Sequence, residues 1–383
     1  MGKLNRVMRC YNCGDILQFE NKDNSGYVPK GILLQENAEA QVIYCETCYE
    51  KMKAVNTGLL EEDADDDILT ILDEAVISDA LILWVIDLFS FNGYLSHRVA
   101  DKIKNLDVLV VGNKFDLFPR SAKPEVAKQF LKERFEEVGI TPKRVIIYGN
   151  SEEFDAKKAL KDLDEDRNGR DIYMIGSAVS GKTSLINKAL KAYSNKSNRI
   201  IKTETYPNTE AKILEIPFDK HSTFYEVPGF SLINNTLGKV EKDVAKMITP
   251  KEKINVTSMH LKEGDAFIIG SLGAFVLQKG KTTGLKFYAS EMVETKKVDA
   301  NKVKREFLEN FVKRSVRPIS DRISAFTDYD VFEYTMEDDE QMHDIGIMGL
   351  GWITFEAKGQ VIRVFLPKGV AVKECLSKVR RNK

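Results

Sequence analysis

Residues 176–183 read GSAVSGKT, and this stretch decides the fold of the chain. It fits the pattern G-x-x-x-x-G-K-[ST], in which glycines let backbone N–H groups close around phosphates and the next helix adds its positive end. Residues 172–175 (IYMI) predict a short buried strand before the loop, and residues 183–192 (TSLINKALKA) predict a helix with one apolar face after it. The sequence therefore predicts a phosphate-binding loop between a strand and a helix of an α/β sheet.

This loop offers specific groups to a nucleotide. The Lys182 ammonium would reach the outer phosphates, and the Thr183 hydroxyl would bind Mg²⁺. Backbone amides would cradle the other phosphate oxygens. The predicted phosphate contacts are Gly176, Ser177, Ala178, Val179, Ser180, Gly181, Lys182, Thr183 and Ser184. A glycine-rich turn that binds no nucleotide is the alternative.

A second motif lies upstream of the first. Residues 113–116 read NKFD, and they follow the apolar residues 107–111, which predict a strand. The pattern N-K-x-D is typical of loops that read a guanine base. Asp116 would accept two hydrogen bonds from the guanine ring, a pair that adenine does not offer, so it favours GTP and disfavours an ATP-dependent kinase. Asn113 and Lys114 would brace the pocket, with the Lys114 stem lying over the purine.

The order of the two motifs is reversed relative to an ordinary GTPase, in which the phosphate loop comes first. Either one match is accidental or the domain is circularly permuted. Permutation is physically reasonable, because a doubly wound parallel sheet binds its ligand at the carboxyl ends of its strands in whatever order the chain visits them. Chain ends of compact domains also often lie close together. We expect the downstream domain to be attached near the element that senses the γ-phosphate.

Two further segments resemble switch loops. Residues 224–229 (FYEVPG) resemble D-x-P-G, where the acid holds Mg²⁺ through water and the glycine N–H meets the γ-phosphate, so Glu226 and Gly229 are candidates. Residues 206–210 (YPNTE) lie where a mobile switch loop is expected, and Thr209 is the nearest hydroxyl for Mg²⁺. An ordinary hairpin turn is the alternative for each segment. The predicted catalytic residues, for phosphoryl transfer to water, are Lys182, Thr183 and Gly229.

The N-terminal part carries two paired cysteine motifs. These are Cys10-x-x-Cys13 and Cys45-x-x-Cys48. Four thiolates at this spacing suit a tetrahedral structural zinc site, and a set of four cysteines argues against an open catalytic site. Disulfide bonds are the alternative. No signal peptide is evident before Cys10, so we expect a cytoplasmic protein with reduced thiols.

The composition is that of a globular protein with several cores. The chain has 383 residues, of which 43% are hydrophobic, and a formal net charge of −1. No apolar run reaches the length of a membrane span, and the balanced charge gives no global nucleic-acid signature. Short predicted strands separated by glycine-rich turns dominate from about residue 255 and indicate an α+β domain. We expect a zinc module over residues 1–58, a GTPase domain over 59–250 and an α+β domain over 251–383, in a monomer.

Basic residues collect toward the C-terminus. Residues 302–317 carry six positive and two negative side chains, and residues 368–383 carry six positive and one negative. Such runs can neutralise nucleic-acid phosphates. The alternative is a solvated amphipathic helix followed by a solvated tail.

Together, these motifs resemble one family, the YqeH-type circularly permuted GTPases, which act in bacterial ribosome assembly. The resemblance is carried by the two cysteine pairs, IDLFSFNG at residues 86–93, GNKFDL at 112–117, the phosphate loop, the VPG turn, MGLGWI at 348–353 and PKG at 367–369. It implies a treble-clef-like zinc finger, a permuted GTPase core that binds GTP or GDP, and a C-terminal domain that binds RNA or protein. It also implies a role in maturing the small ribosomal subunit and contact with rRNA.

The chain departs from the family pattern at several nucleotide loops. Val179 replaces the asparagine that helps to bind an activating potassium ion, and Glu226 replaces an aspartate. Ser151 is the candidate for the loop that backs the guanine. Phe230, not a water-orienting glutamine, follows Gly229, which predicts slow hydrolysis without a partner. An RNA-binding assembly scaffold with vestigial hydrolysis is therefore the alternative to a GTPase that gates ribosome binding.

Overall fold

The computed structural model describes residues 10, 15–29, 45–48, 66–149, 156–193, 202–205, 212–217, 220–230 and 233–380. The first large unit of these residues is a seven-stranded sheet with helices between its strands. Its strands are β1 (Leu81–Asp87), β2 (Val108–Asn113), β3 (Arg144–Ile147), β4 (Ile172–Gly176), β5 (Lys202–Thr205), β6 (Lys212–Pro217) and β7 (Thr223–Glu226). The helices are α1 (Asp66–Ile77), α2 (His97–Ile103), α3 (Pro124–Glu137), α4 (Ala156–Arg167), α5 (Lys182–Tyr193), α6 (Thr236–Lys239) and α7 (Lys242–Ile248).

The sheet is mostly parallel, with the order β3-β2-β1-β4-β7-β6-β5. The first five strands in this order, β3, β2, β1, β4 and β7, pair in parallel. The last two, β6 and β5, complete the sheet with antiparallel pairings. All seven residues of β1 are buried, as expected for a strand covered on both faces. Its register pairs Asp87 with Asn113 and Val85 with Gly176. The carboxyl ends of β1, β2 and β4 therefore meet at one edge.

Two antiparallel sheets of five strands form most of the described residues after α7, in the orders β12-β9-β10-β16-β13 and β17-β14-β15-β11-β8. Their strands are β8 (Asn255–Leu261), β9 (Asp265–Ile269), β10 (Gly273–Lys279), β11 (Thr283–Ala289), β12 (Thr295–Asp299), β13 (Tyr329–Thr335), β14 (Met342–Ile347), β15 (Gly351–Glu356), β16 (Val361–Pro367) and β17 (Val372–Leu376). The helix α8 (Val303–Lys313) lies between β12 and β13. No helix in the described ranges combines the length and the apolar character that crossing a bilayer requires.

The C-terminal sheets pack against the first sheet through Trp352. This side chain is fully buried in the same hydrophobic cluster as the residues of β1, β2 and α3. Its ring stacks on Phe118 at 5.1 Å and on Tyr288 at 4.8 Å between ring centroids. Burial of a large aromatic group dominates the energetics of such an interface. The packing fixes the C-terminal sheets beside the carboxyl edge of the first sheet.

Candidate nucleotide and metal sites

The predicted phosphate loop connects β4 to α5. Gly176 and Gly181 have φ angles of +144° and +90°, which residues that carry a Cβ atom rarely adopt. A Cβ on Gly181 would lie 2.4 Å from Asn113 Nδ2, and a Cβ on Gly176 would lie 2.2 Å from the Val85 carbonyl oxygen. Glycine is therefore required at both ends of the loop, since each end lies against the neighbouring strands.

The NKFD motif and the phosphate loop are in direct contact. Asn113 Nδ2 donates a 2.8 Å hydrogen bond to the carbonyl oxygen of Ser180, and both residues are fully buried. Asn113 Oδ1 is buried and has no partner among the described residues. Two motifs that are far apart in the sequence are thus brought together at one edge of the sheet.

Asp116 lies in a short 3₁₀ turn, Phe115–Leu117, directly after β2. Its Oδ1 atom is buried and without a hydrogen-bond partner in the part of the chain that the structure describes. The neighbouring Tyr148 is buried, and burial together with the Asp116 charge raises the pKa of the Tyr148 hydroxyl. A buried acceptor oxygen is costly unless a donor reaches it, so this carboxylate suits a ligand that brings N–H groups.

Lys114 has a left-handed backbone, with φ +64°. Its ammonium nitrogen lies 2.6 Å from Asp87 Oδ2, and the Asp87 side chain is 4% exposed. Asp87 therefore lies beside the candidate site, and our sequence reasoning did not single it out. Its position at the end of β1, in register with Asn113, was the available signal.

Lys182 is buried within the phosphate loop and is 5% exposed. Its ammonium donates hydrogen bonds to the carbonyl oxygens of Gly176 and Ser177, at 2.9 and 3.1 Å. Burial lowers the pKa of Lys182 to about 8, and the Glu226 carboxylate opposes this shift. Phosphate oxygens would compete with the two carbonyls for the ammonium.

Thr183 and Glu226 face each other across the site. The Thr183 hydroxyl donates a 2.6 Å hydrogen bond to Glu226 Oε1, so the acid from β7 does reach the first turn of α5. Ser184 follows on the exposed side of that turn. A cleft of about 430 Å³ lies here, and its walls are Ala178, Val179, Gly181, Lys182, Thr183, Ile213, Leu214, Glu226, Val227, Pro228 and Gly229.

The Gly229 turn packs directly on the phosphate loop. A Cβ on Gly229 would lie 2.3 Å from Ala178 Cα, so only glycine fits this approach. The Phe230 amide donates to the Gly176 carbonyl oxygen at 3.1 Å, and the Ala178 amide donates to the Phe230 carbonyl oxygen at 3.3 Å. The turn is therefore held against the phosphate loop by backbone hydrogen bonds and by close packing.

The remaining predicted site residues are Ser151, Thr209 and Cys13, which lie outside the described residues. Their roles stay predictions. The other predicted nucleotide contacts line one edge of the first sheet, as far as the structure describes them.

Three of the four paired cysteines form a cluster. The sulfur atoms of Cys10, Cys45 and Cys48 lie within 4.8 Å of one another, and all three residues are buried. The Cys45 backbone N–H donates to Cys10 Sγ at 3.3 Å. Close sulfur donors with an amide directed at one of them suit a metal ion such as zinc.

The fold and these sites define a mixed α/β protein with a phosphate-loop motif at the carboxyl edge of its first sheet and a three-cysteine cluster. Residues 282–377 match the family model described as "YqeH-like, C-terminal". The chain is 27% identical over 363 residues to "Uncharacterized protein YqeH" of Bacillus subtilis (strain 168), a match that covers 95% of this chain and 97% of that protein. These two matches confirm the resemblance to the YqeH-type family.

Two plant proteins are also similar. "Putative nitric oxide synthase" of Oryza sativa subsp. japonica is 23% identical over 383 residues, and "NO-associated protein 1, chloroplastic/mitochondrial" of Arabidopsis thaliana is 21% identical over 392 residues. Each match covers 91% of this chain and 70% of the plant protein. The similarity extends over both the sheet with the phosphate loop and the C-terminal sheets. The nitric oxide terms in these names concern the plant proteins.

Proposed function

We propose that this chain is a circularly permuted GTP-binding protein and a slow GTPase that acts in assembly of the small ribosomal subunit. The observation that carries the proposal is the hydrogen bond from Asn113 Nδ2 to the Ser180 carbonyl oxygen. It joins a base-reading motif to a phosphate-binding motif that follows it in the chain. The strand order supports permutation, because β4, which precedes the phosphate loop, lies between the earlier β1 and the later β7.

Guanine selectivity is supported by Asp116. Its buried and unpartnered Oδ1 would accept a hydrogen bond from the guanine ring. An adenine ring brings no matching pair of donors and would leave the carboxylate unsatisfied. A site built on buried hydrogen-bonding groups discriminates strongly against a ligand that cannot pair with them.

Slow hydrolysis is supported by the residues around Gly229. Phe230 follows it, is 4% exposed and packs edge-on against Trp84 at 5.9 Å between ring centroids. A phenylalanine cannot orient an attacking water. Lys182, Thr183 and Glu226 would hold the phosphates and Mg²⁺, which supply the charge neutralisation of phosphoryl transfer. A partner, proposed to be the small subunit, would then complete the catalytic arrangement.

The proposed contact with rRNA depends on the family resemblance more than on the two basic runs. Much of their charge is paired inside the chain: Lys302 with Asp299, Arg305 and Lys313 with Glu309, Arg314 with Asp321, and Lys373 with Glu137. Paired charges contribute less to phosphate binding than free ones. We therefore keep a second candidate, an RNA-binding assembly scaffold with vestigial hydrolysis, which the replacement of the usual aspartate by Glu226 favours.

Nucleotide titration and single-turnover kinetics test this proposal. Fluorescently labelled GDP is titrated into the full-length protein and displaced with unlabelled GTP, GDP or ATP. We expect displacement by both guanine nucleotides and none by ATP at equal concentration. Labelled GTP is then followed with and without purified small subunits, with Lys182→Met protein as the control for contaminating GTPases. No binding of GDP rejects the nucleotide site, whereas binding without cleavage in either condition selects the scaffold.

A further inference from the structure

The loop after β1 has no role in the nucleotide chemistry proposed above, yet it lies beside the base-reading motif. With the last residue of β1 it comprises residues 87–93, which we term the bridge loop. Asp87 begins it and is 4% exposed. Its Oδ2 atom pairs with the Lys114 ammonium at 2.6 Å, while Oδ1 accepts the backbone N–H groups of Phe89 and Ser90 at 3.1 and 3.2 Å. One carboxylate thus connects Lys114 with the backbone of the bridge loop.

The other side of the bridge loop is bound by the C-terminal sheets. The Gly349 amide donates to the Ser90 carbonyl oxygen at 3.1 Å. The ammonium of Lys378, a residue that is 1% exposed, donates to the carbonyl oxygens of Leu88 and Phe91 at 3.0 and 2.8 Å. These carbonyl groups belong to the same short loop whose amide groups donate to Asp87 Oδ1.

A second connection starts one residue after Asp116. The Leu117 carbonyl oxygen accepts the Ile254 amide at 2.8 Å, at the entrance to β8. Phe118, next along the chain, stacks on the fully buried Trp352. The base-reading motif therefore contacts the C-terminal sheets directly as well as through the bridge loop.

Breaking the ion pair between Lys114 and Asp87 would destabilise the folded protein. The carboxylate is buried, and removing its cation would leave an uncompensated charge away from water. A base held under the Lys114 stem would restrict that stem. Asp87, which is paired with Lys114, would then be less mobile, and so would the amides of Phe89 and Ser90 that donate to it. The carbonyl oxygens of the same loop, which bind the C-terminal sheets, would be held more firmly as a result.

We propose that Asp87 is a positioning residue through which a bound guanine base tightens the docking of the C-terminal sheets. This inference rests on the proposed function. GDP and GTP carry the same base, so the connection reports that a guanine nucleotide is bound, whichever one it is. The Gly229 turn would report the γ-phosphate separately. One nucleotide would thus act at two places: its base through Asp87 on the C-terminal sheets, and its γ-phosphate on the Gly229 turn.

Hydrogen exchange measured by mass spectrometry on the full-length protein tests the inference. Peptides that contain the Gly349 and Ile254 amides are compared with and without GDP at concentrations that saturate each variant. We expect GDP to slow exchange at both amides about fivefold or more in the wild type, the usual lower range of coupling between sites. In Asp87→Asn the slowing at Gly349 is lost. In the exposed control Asp101→Asn it is kept.

The possible results separate the inference from the function on which it rests. A purely structural role for Asp87 would speed exchange equally with and without GDP, and that result overturns the inference. GDP binding without added protection in the wild type overturns it too and leaves the GTP-binding proposal standing. Failure of labelled GDP to bind removes both. If Asp87→Asn does not fold, Lys114→Met breaks the same pair from the other side and must give the same loss at Gly349.

Discussion

Asn113 Nδ2 lies 2.8 Å from the carbonyl oxygen of Ser180, and both groups are fully buried. The first residue ends β2 and the second belongs to the loop after β4, so the bond joins the ends of two parallel strands that flank β1. Ligands of such sheets bind at the carboxyl ends of the strands, independent of the order in which the chain makes them. This contact is the geometric basis for the proposed nucleotide pocket.

Replacement of Lys182 should weaken the binding of GDP and leave the stability of the folded protein nearly unchanged. Its ammonium is buried and its pKa is lowered, so the folded protein gains little from the charge. We expect Lys182→Met to leave the melting temperature within about 4 °C of the wild type and to weaken GDP binding at least about a hundredfold, because the charge on the outer phosphates is lost. Calorimetry and labelled GDP measure the two effects. The exposed Lys161→Met is the control, and a Lys182→Met protein that binds GDP normally would contradict the assignment.

The affinity for GDP should depend on pH through Lys182. Bound phosphates favour the charged ammonium, so nucleotide binding raises a pKa that is about 8 without it. Below pH 8 the group is charged in both states and adds no pH dependence. Above pH 8 binding must take up a proton, so affinity falls by up to about tenfold per unit. Titrations from pH 7 to 9 measure this. GMP lacks the outer phosphate and serves as the control; a GDP affinity that stays level above pH 8 would argue against the role of Lys182.

The Thr183 hydroxyl should be required for the effect of Mg²⁺. It now donates to Glu226 Oε1, and the same two groups are the proposed metal-binding pair. We expect Mg²⁺ to tighten GDP binding in the wild type and Thr183→Ala to lose about tenfold or more of that gain, equal to about 1.4 kcal/mol. Affinity measured in a chelator should change little. Thr70→Ala, which removes an exposed hydroxyl on α1, should behave as the wild type. Equal Mg²⁺ effects in both variants would exclude Thr183 as a ligand.

The cysteine cluster should hold one zinc ion per chain. Metal analysis of purified protein measures the stoichiometry, and Cys45→Ser should lose most of the metal because a sulfur donor of the closed site is removed. Cys375→Ser, outside the cluster, should retain it. Chelation should make residues 15–29 sensitive to protease while GDP affinity stays within about twofold, since the cluster shares no described contact with the phosphate loop. Metal-free protein with an intact N-terminal part would contradict a structural zinc.

Much of the secondary structure follows from local pattern. The strand predicted over residues 172–175 is β4, Ile172–Gly176, and the strand predicted over residues 107–111 is β2, Val108–Asn113. The apolar run of β4 ends at Gly176, the first glycine of the phosphate loop, and this change of composition marks the end of the strand. The contact between the NKFD motif and the phosphate loop also follows, because both come at carboxyl ends of parallel strands.

Long-range packing could not be predicted in the same way. Nothing near Trp352 in the sequence indicates that its ring stacks on Phe118, far earlier in the chain. Lys378 belongs to a basic run that suggests a solvated tail, yet its ammonium lies 4.0 Å from the Trp352 ring centroid and is fully buried. Asp87 likewise gains its partner, Lys114, only when β1 and β2 pair. Each of these roles depends on contacts between segments, not on local periodicity.

Nucleotide preference of the Asp116→Asn variant is the measurement that tests the account most directly. The asparagine amide offers a donor where the aspartate has only acceptors, so it suits the second carbonyl of xanthine in place of the guanine amino group. We expect the wild type to prefer GDP over xanthosine diphosphate by at least about a hundredfold and the variant to reverse that preference, while Asp101→Asn keeps it. An Asp116→Asn protein that still binds GDP as the wild type does would contradict a single purine nucleotide pocket formed by the two motifs.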